Sequence, residues 1–130
     1  MKKIAVIGTG LSALSLVYHL PTLDITFFEK SWRPGGRIST RRNGNYVFDH
    51  GAHYLKEDHG IIGLNEFLNK LNATKILKGD FCANIQNQLS IEKKQVIVGQ
   101  NGMESIPHQL HEYLRYPTHF STKIKEIENR

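Results

Sequence analysis

Apolar residues fall first in short unbroken runs and later at wider, periodic spacing. Ile4-Ala5-Val6-Ile7 is continuous, as a parallel strand covered on both faces would be. Residues 11–20 read as a short, mostly apolar helix, with Pro21 as its stop. Ile25-Thr26-Phe27-Phe28 repeats the buried-strand pattern and ends at Glu29. Asn43-Gly44 signals a turn before a short strand, Tyr46-Val47-Phe48. In residues 61–72, Leu64, Phe67, Leu68 and Leu71 keep helical spacing. Four short β-like pieces follow, Lys75 to Leu77, Phe81 to Ile85, Leu89 to Ile91 and Gln95 to Val98. Asn84 to Gln88 and Glu92 to Lys94 are their turns. After a loop from Gly99 to Gly102, Met103, Ile106, Leu110 and Leu114 share one helical face, and Pro107 suits only the first turn. Thr118 to Ile127 closes the pattern as a strand.

The first three elements predict an α/β fold with a parallel sheet, and their connections carry chemistry. Gly8-Thr9-Gly10-Leu11-Ser12-Ala13 joins strand to helix in the G-x-G-x-x-A spacing. Gly8 permits the tight turn, Gly10 lets the backbone approach a pyrophosphate, and Ala13 allows close helix–strand packing. The helix N-terminus offers free N–H groups to phosphate. Glu29 stands 19 residues after Gly10, placed to accept hydrogen bonds from ribose hydroxyls. Such a spacing alone is common in loops. The strand before it, the helix after it and the acid together point to a dinucleotide.

Gly35-Gly36-Arg37 follows closely on Glu29-Lys30. Paired glycines let backbone amides touch a ligand, and arginine offers a fork to phosphate or carbonyl oxygen. A plain Arg-Pro-Gly-Gly surface turn is the competing reading. Further on stands Asp49-His50-Gly51-Ala52-His53-Tyr54. These segments, with EKSWRPGGRISTRR and VGQNGMESIPHQL, resemble the renalase-like FAD oxidoreductases of the flavoprotein amine oxidase superfamily.

The resemblance implies a Rossmann-like FAD-binding fold with a short inserted antiparallel β segment. Residues 1–54 and 99–130 would form the nucleotide-binding core of a single domain, 1–130, and 55–98 the start of an inserted substrate segment. It places Lys30 and the Gly35–Arg37 loop along the extended FAD. Gly51, Ala52, His53 and Tyr54 would lie near the isoalloxazine, although many members carry glutamine at His53. Thr118 to Ile127 would be the third parallel strand, touching the adenine near Ile124. The implied activity is hydride transfer from a small reduced substrate to the flavin, with reoxidation by oxygen. The family pattern continues well past residue 130. The expectation is thus an incomplete fold, truncated or split and inactive alone, completed by a complementary chain. The alternative is a non-catalytic dinucleotide-binding module acting with a partner chain. The resemblance assigns no catalytic residue.

Composition adds limits. One hundred and thirty residues suit one domain with a real core. The single cysteine, Cys82, excludes an internal disulfide and fits a reducing compartment. The net charge of +5 is partly local, in Lys30, Arg33, Arg37, Arg41 and Arg42. No RNA-binding signature, zinc ligand set or basic helix accompanies these charges, so nucleic acid is not expected. Asp49, His50 and His53 suit a metal by residue type, but spacing supplies no third and fourth ligand from elsewhere, so no metal is expected. His108 and His111, with Glu104 and Glu112 nearby, read as a solvated helix face. Met1-Lys2-Lys3 before an apolar run imitates a signal peptide, yet Gly8 and Gly10 interrupt that run, and residues 4–20 are short for a membrane span. The expected location is cytoplasmic, without a membrane partner.

Overall fold

The computed structural model describes residues 2–20, 23–56 and 64–128, without the side chains of 64–66. Pro21, the expected helix stop, and residues 61–63 of the expected second helix lie outside these. The chain opens with β1 (Lys3–Ile7), α1 (Leu11–Tyr18) and β2 (Asp24–Phe28). β1 and β2 pair in parallel, from Lys3 opposite Asp24 to Ile7 opposite Phe28. The helix between them makes the crossover that parallel strands require.

A hairpin follows, β3 (Ile38–Asn43) with β4 (Tyr46–Gly51), turning at Gly44 with φ +55°. β3 escapes the hydrophobic pattern because Arg41, Arg42 and Asn43 are exposed and polar; pairing with β4 defines it. β5 (Leu55–Lys56) and α2 (Leu64–Lys70) come next. Phe67 and Leu68 are buried, and Leu71 packs beside them, as helical spacing predicts.

The four expected β pieces are two long strands, β6 (Thr74–Ile85) and β7 (Gln88–Gly99). The turn sits at Gln86 and Asn87, with φ +53° and +62°, inside the expected Asn84 to Gln88 segment. The expected Glu92 to Lys94 turn is instead strand, opposite Phe81, Asp80 and Gly79. The ribbon stands in water over most of its length, so charged residues enter it without breaking it. β5 pairs the other edge of β7, giving the order β5-β7-β6.

The last helix, α3 (Ser105–Leu114), has Pro107 buried in its first turn. β8 (Thr118–His119) then pairs in parallel with β2, giving the sheet order β1-β2-β8. The strand expected to reach Ile127 is only these two residues. At Ser121 the backbone takes φ +53° and the chain turns away. Ile124 is therefore exposed and outside any ladder.

One core serves α1, α2, α3 and one face of the parallel sheet. Leu14 and Val17 of α1 and Ile106 and Leu110 of α3 pack with Ile25 and Phe27 of β2. Burying an aliphatic or aromatic side chain of this size stabilises by about 1.5–3 kcal/mol. The register puts Ile7, Phe28 and His119 on the opposite face of the sheet, where Ile7 is exposed and His119 stacks on Phe28. Among the described residues no helix is long and apolar enough to cross a membrane.

Candidate nucleotide site

The site is assembled at the C-terminal ends of β1 and β2. Gly8 has φ +92°, a backbone that a side chain rarely adopts, and it makes the turn out of β1. Its amide donates to Phe28 O at 2.8 Å, tying the loop to β2. Gly10 caps α1 with extended backbone, and the first turn of that helix holds no acid. A Cβ added at Gly8 or Gly10 would meet no atom within 4 Å. The protein leaves open space there, beside the free amides of a helix N-terminus.

Glu29 is buried at the end of β2 and fully engaged. Its Oε2 accepts from the Thr9 amide at 2.7 Å and the Thr9 hydroxyl at 2.8 Å. Its Oε1 accepts from the Ser31 amide at 2.8 Å. Burial pushes the carboxyl up, but the hydrogen bonds from Ser31 and Thr9 outweigh it and hold the group below its usual value. Glu29 is thus an ionised acceptor at neutral pH. The backbone and side-chain donors of Thr9 and Ser31 take up the roughly four acceptor positions of a carboxylate, so a diol would exchange with one of these donors.

The second loop lies directly on the first. The Gly35 amide donates to Thr9 O at 3.1 Å, and Gly35 bridges Gly10. A Cβ at Gly36, φ +61°, would approach Gly10 Cα to 3.3 Å, and one at Gly35 would strike Ile38 O. These glycines let two loops pack together. The sequence suggests only that they admit a ligand. The next segment joins in turn: the Ala52 amide donates to Arg37 O at 3.2 Å, and a Cβ at Gly51 would strike Arg37 O.

The other sequence-derived positions are more dispersed. Leu11 and Ala13 are half-buried on α1; Ser12, Lys30 and Arg37 are exposed. His53 lines an open cleft of about 490 Å³ with Arg42, Asp49, Lys75 and Val98. Tyr54 sets its ring edge-on to Phe81. Ile124 is exposed and lies beyond the β2–β8 pairing. The third strand reaches the acid through other residues: the Glu29 amide donates to His119 O and the Thr122 amide to Glu29 O.

A polar cluster that sequence did not reveal fastens the second loop to α3. Arg33 and Arg42 both pair with Glu104, and Arg33 also donates to Thr40 O at 2.9 Å. The Thr40 hydroxyl donates to Asp49 Oδ1 at 2.7 Å and accepts from the Glu104 amide at 3.0 Å. The same Asp49 oxygen accepts from the Met103 amide at 2.8 Å. Asp49, one of the residues suited to a metal by type, has a structural occupation here. The partners of Glu104 lie 71 and 62 positions away in sequence, so no local signal could reveal the cluster.

A glycine turn leaving a parallel strand, an acid closing the next strand and a helix N-terminus between them define a dinucleotide fold. The chain belongs to the family of NAD(P)-binding Rossmann-like domains, which matches residues 6–71. It is similar to coproporphyrinogen III oxidase of Staphylococcus aureus, 43% identical over 54 residues, covering 38% of this chain and 12% of that protein. It is also similar to the mitochondrial protoporphyrinogen oxidase of Nicotiana tabacum, 34% identical over 63 residues, 47% of this chain and 12% of that one. A putrescine oxidase variant shares the fold over 70% of this chain and 21% of its own, with TM-score 0.50 and 20% identity. The chain thus spans about an eighth of the length of the curated oxidases it matches.

Proposed function

We propose that this chain is the dinucleotide-binding part of an FAD-dependent oxidoreductase of the amine and porphyrinogen oxidase type. The observation that carries this reading is the ionised Glu29, held by Thr9 and Ser31 beside the open space at Gly8 and Gly10. The residues fit the ADP half of FAD. Glu29 accepts from the ribose hydroxyls. The backbone of Gly8, Gly10, Leu11, Ser12 and Ala13 receives the pyrophosphate at the α1 terminus. Lys30 and Arg37 supply positive charge. The Gly35–Gly36 loop and Gly51 to Tyr54 extend the path toward the ring. The chemistry a bound FAD would supply here is hydride acceptance from a reduced substrate, with oxygen as the final acceptor. Within that chemistry the renalase-like segments favour a small reduced substrate.

Four measurements test the reading. FAD titration of purified protein, followed by flavin absorbance, is expected to saturate. Glu29→Ala is expected to weaken FAD by about tenfold to a hundredfold, the loss of roughly 1.5–3 kcal/mol in charged hydrogen bonds. An ionised Glu29 repels a 2′-phosphate, so tighter binding of NADPH than FAD would sink the flavin assignment. Bleaching of the flavin by substrate separates an enzyme from a non-catalytic module acting with a partner chain.

A further inference from the structure

Trp32 has no evident packing role. It is 72% exposed, as open to water as Tyr46 at 70%. It is also the single tryptophan of the chain. Its place in the loop is well defined on both sides. Just before it, the Ser31 amide is fixed on Glu29 Oε1, and Ser31 O accepts from the Ser121 amide at 2.8 Å. Just after it, Arg33 is fixed by Glu104 and Thr40 O. Two residues further on, Gly35 is fastened to Thr9.

One face of the indole is occupied. The Arg33 guanidinium carbon lies 4.8 Å from the ring centroid, a cation–π contact. Arg33 cannot swing away without breaking its ion pair, so it backs the indole as a rigid support. The ring is left largely in water. An aromatic plate held from behind and open elsewhere is what a nucleobase stacks on.

Reach agrees with this. Consecutive Cα atoms are about 3.8 Å apart, so Trp32 begins one residue from the amide that touches Glu29. If the Glu29 carboxylate holds the ribose hydroxyls, the base leaves the same sugar within an indole's length of that point.

We propose that Trp32 is a specificity-determining residue whose indole stacks on the adenine of the bound dinucleotide. This rests on the dinucleotide reading above and extends it from sugar and phosphate to base. Glu29 and the α1 terminus read ribose and charge, which every nucleotide shares. Trp32 adds a term that needs a flat heteroaromatic base.

The test uses the intact chain and two probes, ADP and inorganic pyrophosphate, with FAD as control. In the wild type, ADP is expected to quench tryptophan emission saturably, with the same midpoint as binding measured by calorimetry. Trp32→Ala should weaken ADP by about tenfold, the order expected for losing a base stack. Trp32→Phe should stay within a few-fold of wild type, and pyrophosphate should bind all three proteins alike. Should Trp32→Ala fail to fold by circular dichroism, Trp32→Leu takes its place, and the wild-type quench is decisive by itself. The proposal is overturned if ADP binds without changing the emission, if the apolar variant binds ADP as wild type does, or if ADP and pyrophosphate weaken together. Failure of FAD and ADP to bind the wild type would bring down the dinucleotide reading as well, a different result from FAD binding that ignores Trp32.

Discussion

Thr9→Val removes one of the hydrogen bonds that hold Glu29 below its usual value. The change keeps shape and branching and removes only the hydroxyl. The Thr9 amide still donates at 2.7 Å, so one of two bonds to Oε2 is lost. Both residues are buried, with Thr9 at 0% exposure, so water cannot replace the hydroxyl easily. A hydrogen bond to a charged group contributes about 1.5–3 kcal/mol. With an unfolding entropy of roughly 2.1 cal/mol/K per residue, a 2 kcal/mol loss lowers Tm by about 7 °C in a chain this long. The pH dependence gives the sharper check. The folded carboxyl sits below its usual 4.5, so its contribution is complete above about pH 4.5 and is lost as pH falls through the folded value. The stability gap between wild type and Thr9→Val should hold steady from pH 8 to about 4.5, then narrow as pH falls further. Acid loss in the wild type alone is not diagnostic. His111, lowered by burial and then by His108, also destabilises the fold as pH falls below 6.5. Thermal melts of both proteins across this range make the measurement. A gap near zero at pH 7, or one that persists undiminished as pH falls well below 4.5, would refute the reasoning.

Three further outcomes are expected. Gly10→Ala meets no protein atom and suits the extended backbone, so Tm should shift by no more than about 1 kcal/mol equivalent while FAD affinity drops at least tenfold in an absorbance titration. Gly36→Val, with φ +61° and Gly10 Cα at 3.3 Å, should lose both FAD affinity and several degrees of Tm; unchanged melting would show that the two loops do not need this contact. Glu104→Gln leaves Arg33 and Arg42 without their carboxylate. It should cost about 1–3 kcal/mol in denaturant melts and weaken FAD several-fold, and an unaltered FAD constant would separate the cluster from the site.

The parts legible in sequence are those whose signal is local. β1, α1 and β2 are read from unbroken apolar runs around a glycine turn, and Glu29 from its distance to Gly10. The glycines at 35 and 36 stand out, but that they pack against Gly10 depends on a contact 25 or so residues away. β6 and β7 divide into pieces in sequence because Gly79-Asp80 and Glu92-Lys93-Lys94 carry turn-like composition. On a two-stranded ribbon in water, the ladder opposite supplies what propensity lacks. β8 is overextended because Phe120, Thr122 and Ile124 alternate like a strand, while the left-handed backbone at Ser121 ends the pairing. Thr9, Thr40 and Glu104 lie inside the motif segments, but no spacing within those segments marks them as partners of Glu29, Asp49 and the two arginines. Their importance arises only when distant elements meet.

The pairing of β2 with β8 has a kinetic meaning. Gln88 finds Ile85 three positions away, but Phe27 must find Thr118 across 91 positions of the chain. Closing so long a loop is entropically costly and slow compared with zipping a hairpin. The ribbon can form early and alone, while the parallel sheet waits. Glu29 meets Thr9 over 20 positions, so its inner half can be built with the first βαβ unit. Its outer half, where His119 and Thr122 bond the backbone of Glu29, belongs to the last closure. A site finished by the slowest contact is assembled only once the rest has committed. Under the proposed function, a nucleotide arriving there would stabilise the step of folding that has the least local help.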